Sequence, residues 1–63
     1  MRISLRAARI NAGYTQEAAG KALNVAKKTI GLWEKGKTKP TIDKVEPICN
    51  LYGVKYDDIE WCK

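Results

Sequence analysis

The chain contains no histidine, and that absence removes whole classes of chemistry at the outset. Without an imidazole there is no Ser–His–Asp triad and no Cys–His nucleophile pair. A zinc site would have to be built on Cys49 and Cys62, which lack Cys-x-x-Cys spacing and have no nitrogen ligand to join them. A disulfide between the two is open on paper, but in a chain without a signal peptide they read as free thiols. Also missing is any apolar run near the ~18–20 residues of a membrane span. The expected location is the cytoplasm, with no membrane contact. Residues 1–63 read as a single domain, because a chain this short assembles one hydrophobic core. Such a core leaves little room for a buried catalytic cavity. An enzyme is not expected, nor a cofactor, a metal or a small-molecule ligand.

What is present is a soluble composition, 44 % hydrophobic and 30 % charged, with a net charge of +5 and a pI near 9.4. Its distribution says more than its total. Residues 1–42 carry nine Lys and Arg against Glu17 and Glu34, whereas residues 43–63 carry three Lys against five acids. A basic body with an acidic end suggests one face for a polyanion and another for something else; ordinary surface charge is the competing explanation.

Gly, Asn and Pro punctuate the chain into short helices. Ser4 is a good cap for a first helix from Leu5 to about Ala12, where Gly13 supplies a left-handed stop. Thr15 caps a second helix through Leu23, with Glu17 at its positive end. Asn24 tolerates positive φ and turns the chain into a third helix, Lys27 to about Lys35, closed by Gly36. Thr41 opens a fourth helix through Tyr52, interrupted by Pro47 and stopped by Gly53. A short fifth helix is expected over about Tyr56–Trp61, with Asp57 and Asp58 as helix-start acids and not a metal or acid–base pair. No segment alternates convincingly as a strand. The expected fold is all-α, a compact five-helix domain with a helix-turn-helix at helices 2 and 3. Helical spacing selects a core of Leu5, Ala8, Tyr14, Ala18, Ala19, Ala22, Leu23, Val25, Ile30, Trp33, Ile42, Val45, Ile48, Cys49, Leu51, Tyr52, Val54 and Ile59.

Residues 15–34 meet the physical specification of a helix-turn-helix. Small residues, Ala19 and Gly20, stand where two helices must cross; Asn24 serves the tight turn; Val25, Ile30 and Trp33 hold the second helix from behind. Thr15-Gln16-Glu17, Thr29-Ile30, Trp33-Glu34-Lys35-Gly36, Lys39-Pro40-Thr41 and Leu51-Tyr52-Gly53-Val54 together resemble, in register, the Cro/CI-type (Xre, lambda repressor-like) helix-turn-helix family over residues 5–59. The chain departs from that pattern at Ala26, which leaves helix 3 without a cap, and at Gly31 inside the same helix. These cost about 1 kcal/mol each.

The resemblance implies a transcriptional regulator that reads double-stranded DNA, of the phage or prophage repressor type, acting by operator occupancy. Lys27, Lys28 and Leu32 would face base edges in the major groove, the lysines toward guanine and Leu32 toward a thymine methyl or a protein partner. Gln16, Thr29, Lys35, Lys37, Thr38 and Lys39 would contact phosphates. Arg9 and Glu34 would form a structural ion pair between helix 1 and the end of helix 3. Two-fold DNA sites imply a homodimer, expected through Tyr56, Ile59, Trp61 and Cys62, although Trp61 folding back on the core is an equal alternative. The competing function is an antitoxin-like interaction module that binds a protein through the acidic C-terminal region.

Overall fold

All four helices stop in the same way, and these stops set the path of the chain. The computed structural model describes residues 2–61. In order these form β1 (Ile3–Ser4), α1 (Leu5–Asn11), α2 (Gln16–Leu23), α3 (Lys27–Lys35), α4 (Ile42–Tyr52), a single 3₁₀ turn (Tyr56–Asp58) and β2 (Ile59–Glu60). Gly13, Asn24, Gly36 and Gly53 follow the four helices in left-handed geometry. At each the next amide reaches back to a carbonyl five residues earlier, as Val25 N–H does to Gly20 O at 2.8 Å. Asn24, with φ 60°, is the one non-glycine residue at positive φ among the described residues. This conformation is tolerable because the Asn side chain is short and polar.

The α2–α3 turn is also where the backbones come closest. A Cβ at Gly20 would stand 2.7 Å from the carbonyl oxygen of Val25, so a larger side chain there would push the two helices apart. Lys44 of α4 then clips the turn from below, its Nζ donating to the Leu23 carbonyl at 2.9 Å. A cation at that position also suits the negative end of α2.

Side-chain caps hold the starts of α1 and α2: Ser4 Oγ accepts from Ala7 N–H and Thr15 Oγ1 from Ala18 N–H, both at 3.0 Å. Ala26 offers α3 no such bond. Thr41 was expected to cap α4 and does not, because its hydroxyl donates to the Asp43 carboxylate instead. That bond holds the Asp43 carboxyl below its usual range. α4 runs on through Pro47, which is exposed and has no amide to offer its helix.

The expected fifth helix is replaced by the three-residue turn and β2. Lys55 N–H donates to Asp58 Oδ2, closing the turn, and Ile59 then pairs in parallel with Ile3. In the extended conformation Ile59 drives its side chain into the core, where it is 1 % exposed. Leu5, Ala8, Ala19, Leu23, Ile30, Trp33, Ile48 and Tyr52 complete that core. Tyr14, Val25, Leu51 and Val54 pack around it, partly buried.

Five expected core positions, Ala18, Ala22, Ile42, Val45 and Cys49, turn outward to different degrees. Ala18 and Ala22 are exposed because α2 buries the Ala19–Leu23 ridge, and a neighbouring residue points ~100° away. Ile42, at the tip of α4, is 92 % exposed, because the helix reaches the core only at Ile48 and Tyr52. Cys49 is half-buried beside that ridge. Ile59→Ala should lower the free energy of unfolding by about 2–5 kcal/mol. Denaturant titrations should place its midpoint lower at every protein concentration, as expected for a lost core contact within one chain.

Candidate nucleic-acid interface

The site is built outward from a buried charge. Arg9 is buried, as is the carboxylate of Glu34 that it meets, and three of its N–H groups are satisfied at once. Nε donates to Glu34 Oε2 at 2.6 Å, Nη2 to Glu34 Oε1 at 3.3 Å, and Nη1 to the Tyr14 carbonyl at 2.8 Å. Gln16 Nε2 adds a bond to Glu34 Oε1 at 3.1 Å. The two charged side chains are 10 % and 5 % exposed. One network therefore ties α1, the start of α2 and the last turn of α3 together. Tyr52 lies under it: burial, reinforced by the Glu34 charge, pushes its phenol up to about 12. Its ring packs tilted on Tyr14 with centroids 6.3 Å apart.

Held by this network, α3 shows two faces. Ile30 and Trp33 are buried, whereas Lys27 and Lys28 are exposed on its first turn. Thr29 and Leu32 are half-buried between the two faces. Thr29 and Ile30 amides are taken by the Ala26 carbonyl, at 3.0 and 3.2 Å. With no side-chain cap, the amides of Lys27 and Lys28 remain at the positive end of the helix, beside two cations. Lys35 at the end of α3 and Lys37, Thr38 and Lys39 beyond it continue the exposed polar surface around the loop. Gly31 lies against Gln16: a Cβ there would meet its side-chain amide at 3.7 Å, an ordinary contact, so sterics do not demand glycine. This proximity of Gly31 and Gln16 was not visible in the sequence, because it depends on how α2 and α3 cross.

Of the four residues assigned to a dimer contact, the three that are described do not all lie on the surface. Tyr56 is exposed, but Ile59 is buried beneath the β1–β2 pair and cannot face a partner. Trp61 is half-buried; it stacks on Tyr56 with centroids 5.3 Å apart and donates Nε1–H to the Tyr56 carbonyl at 3.0 Å. Cys62 lies outside the described residues. Sequence reasoning missed Ile42, which stands exposed with Val45 and Tyr56 around a shallow hollow that also touches Cys49. The Cys49 thiol is pushed up by burial and by the Asp58 and Glu46 carboxylates, so it stays protonated at neutral pH.

Four short helices, the second and third crossing at a tight left-handed turn with the third presenting lysines outward, define a helix-turn-helix protein. A family model described as helix-turn-helix matches residues 5–59, and the chain belongs to that family, in its Cro/CI (Xre) branch. It is 30 % identical over 61 residues to an uncharacterized HTH-type transcriptional regulator, YgzD, of Bacillus subtilis (strain 168). The match covers 97 % of this chain and 92 % of that protein. No solved structure matches significantly. Together these findings make the chain a DNA-binding transcriptional regulator by type. No helix among the described residues is long and apolar enough to cross a membrane.

Two outcomes follow from the network. Glu34→Ala should destabilise the fold by about 3–5 kcal/mol, because it strands a buried guanidinium; thermal unfolding followed by far-UV circular dichroism measures this. Tyr52 retains its proton in the native state up to about pH 12, while the unfolded chain releases it near 10. Over that window the unfolded state binds fewer protons, so stability falls as pH rises. Denaturation curves of the wild type and Tyr52→Phe should show the steeper alkaline loss in the wild type.

Proposed function

We propose that this protein is a sequence-specific repressor of the phage or prophage type, which regulates by occupying its operator. The observation that carries the proposal is the exposed pair Lys27 and Lys28 on the uncapped first turn of a helix whose other side, Ile30 and Trp33, is buried. Lysines so placed enter a major groove ahead of the helix body and can donate to guanine O6 and N7, while half-buried Leu32 offers an apolar edge to a thymine methyl. Thr29 and Lys35 on that helix, with Gln16, Lys37, Thr38 and Lys39 around it, serve the phosphates on either side. Arg9 and Glu34 set the angle from inside and stay off the DNA.

In this proposal the protein acts as a homodimer on a two-fold site, with half-sites about one helical turn apart. Exposed Ile42 and Tyr56, with Trp61 stacked behind, provide the apolar surface for that contact in place of Ile59. Burying them between two copies removes them from water.

Selection of bound sequences from a random duplex pool should return a palindromic, G-containing motif. In gel shifts the Lys27→Ala, Lys28→Ala variant should lose discrimination between that motif and a scrambled duplex by 10-fold or more, on the order of the ~1–3 kcal/mol of a good base contact. Undiminished discrimination would overturn the assignment of these lysines to bases.

A further inference from the structure

The chain has five glycines, and the fold itself requires four of them. Gly13, Gly36 and Gly53 stand at positive φ, and a Cβ at Gly20 would collide with the Val25 carbonyl oxygen at 2.7 Å. Gly31 meets neither demand. It lies within α3, outside the positive-φ residues, and the nearest group to an added Cβ is the Gln16 side-chain amide at 3.7 Å. Glycine is a poor helix former, so α3 is weakened at Gly31 without any packing or conformational gain inside the protein. A side chain missing from that position is therefore felt by whatever lies over the helix.

Helical spacing gives the direction in which the gap opens. Lys27 and Lys28 precede Gly31 by four and three residues, and Lys35 follows it by four, so all three share its side of the helix. All three lysines are exposed, whereas Ile30 and Trp33 occupy the buried side. Gly31 itself is half-buried, with Gln16 beside it held by the bond from its Nε2 to Glu34 at 3.1 Å. The floor of the gap is mid-helix backbone, whose amides and carbonyls are already paired within α3. Such a floor has no free donor or acceptor to offer a base edge. What it accommodates is an apolar group, and the apolar group that base edges carry in the major groove is the C5 methyl of thymine.

We propose that Gly31 is a specificity-determining residue, and that the gap left by its missing side chain receives the methyl group of one thymine. The proposal rests on the reading of α3 as the recognition helix and deepens it, adding a base to those met by Lys27, Lys28 and Leu32. Helix stability is lost at Gly31, and closer approach of α3 to the duplex is gained.

The test uses the full chain and a duplex selected from a random pool, with each thymine replaced in turn by uracil, which lacks only the C5 methyl. Uracil at one of these positions should weaken wild-type binding about three- to fourfold, the scale of one buried methyl group. Gly31→Ala fills the gap with a methyl of its own. It should bind the thymine duplex roughly tenfold more weakly than the wild type, the scale of overpacking by one such group, and should prefer uracil at that position. Its melting temperature should rise by about 4–8 °C, as for a better helix former placed where there is room, which separates lost affinity from lost folding. Leu32→Ala should keep the wild-type preference for thymine there.

A selected motif without a fixed thymine would overturn the proposal, as would a wild type indifferent to uracil at every position. Equal weakening of thymine and uracil duplexes by Gly31→Ala would also overturn it, because the added methyl would then meet something other than a thymine. Tighter binding by Gly31→Ala would do the same, reducing Gly31 to a weak point of the helix. A wild type that selects no sequence at all would instead sink the recognition function on which the proposal rests.

Discussion

The orientation of the third helix depends on the pairing of Arg9 with Glu34. Apolar burial gathers the helices but is non-directional, and a core of nine side chains could be packed with α3 at more than one angle. A guanidinium with its carboxylate at 2.6 Å, shared with Gln16 and Tyr14, is satisfied at one angle only. A pair this buried contributes little net stability compared with well-packed apolar side chains, yet breaking it strands a charge. In this molecule its consequence is geometric: it joins three helices at the point from which the exposed lysines project.

α3 itself has little local support. α1 and α2 are capped by Ser4 and Thr15, whereas α3 starts at Ala26 without a side-chain bond and carries Gly31 in its interior. Its order comes from tertiary contacts at Ile30, Trp33 and Glu34, all on one side. The opposite side leaves its first amides uncapped and its cations exposed. A serine in place of Ala26 would steady the helix and occupy one of those amides.

The charge imbalance along the chain has a structural counterpart. Lys27, Lys28, Lys35 and Lys37 lie exposed along α3 and the loop after it, while Asp58 closes the 3₁₀ turn and, with Glu46, acts on Cys49. Lys44 crosses between the two regions, bonding the carbonyl end of α2 from α4. Ile10, Ile42 and Tyr56 remain as large hydrophobic side chains exposed on the surface.

Much of this was legible along the chain because it is local. Ser4 and Thr15 as caps, Gly13, Asn24, Gly36 and Gly53 as stops, and the Ile30–Trp33 ridge each depend on residues within a turn or two of one another. The Arg9–Glu34 contact came from the family resemblance, not from spacing. The errors share a different cause. Ile59 was rightly placed in the core, but its further assignment to a helix and a dimer surface failed because its partner, Ile3, is 56 positions away in sequence, and only that pairing draws it extended. Ile42 was placed inside because helical periodicity cannot tell where along α4 the neighbouring helices end. Local hydrogen bonding, then, determined the helices and their turns, whereas the exposure of each face and the closeness of Gly20 to Val25 and of Gly31 to Gln16 were decided by the angles at which finished helices meet. Those angles depend on contacts between residues far apart in the chain.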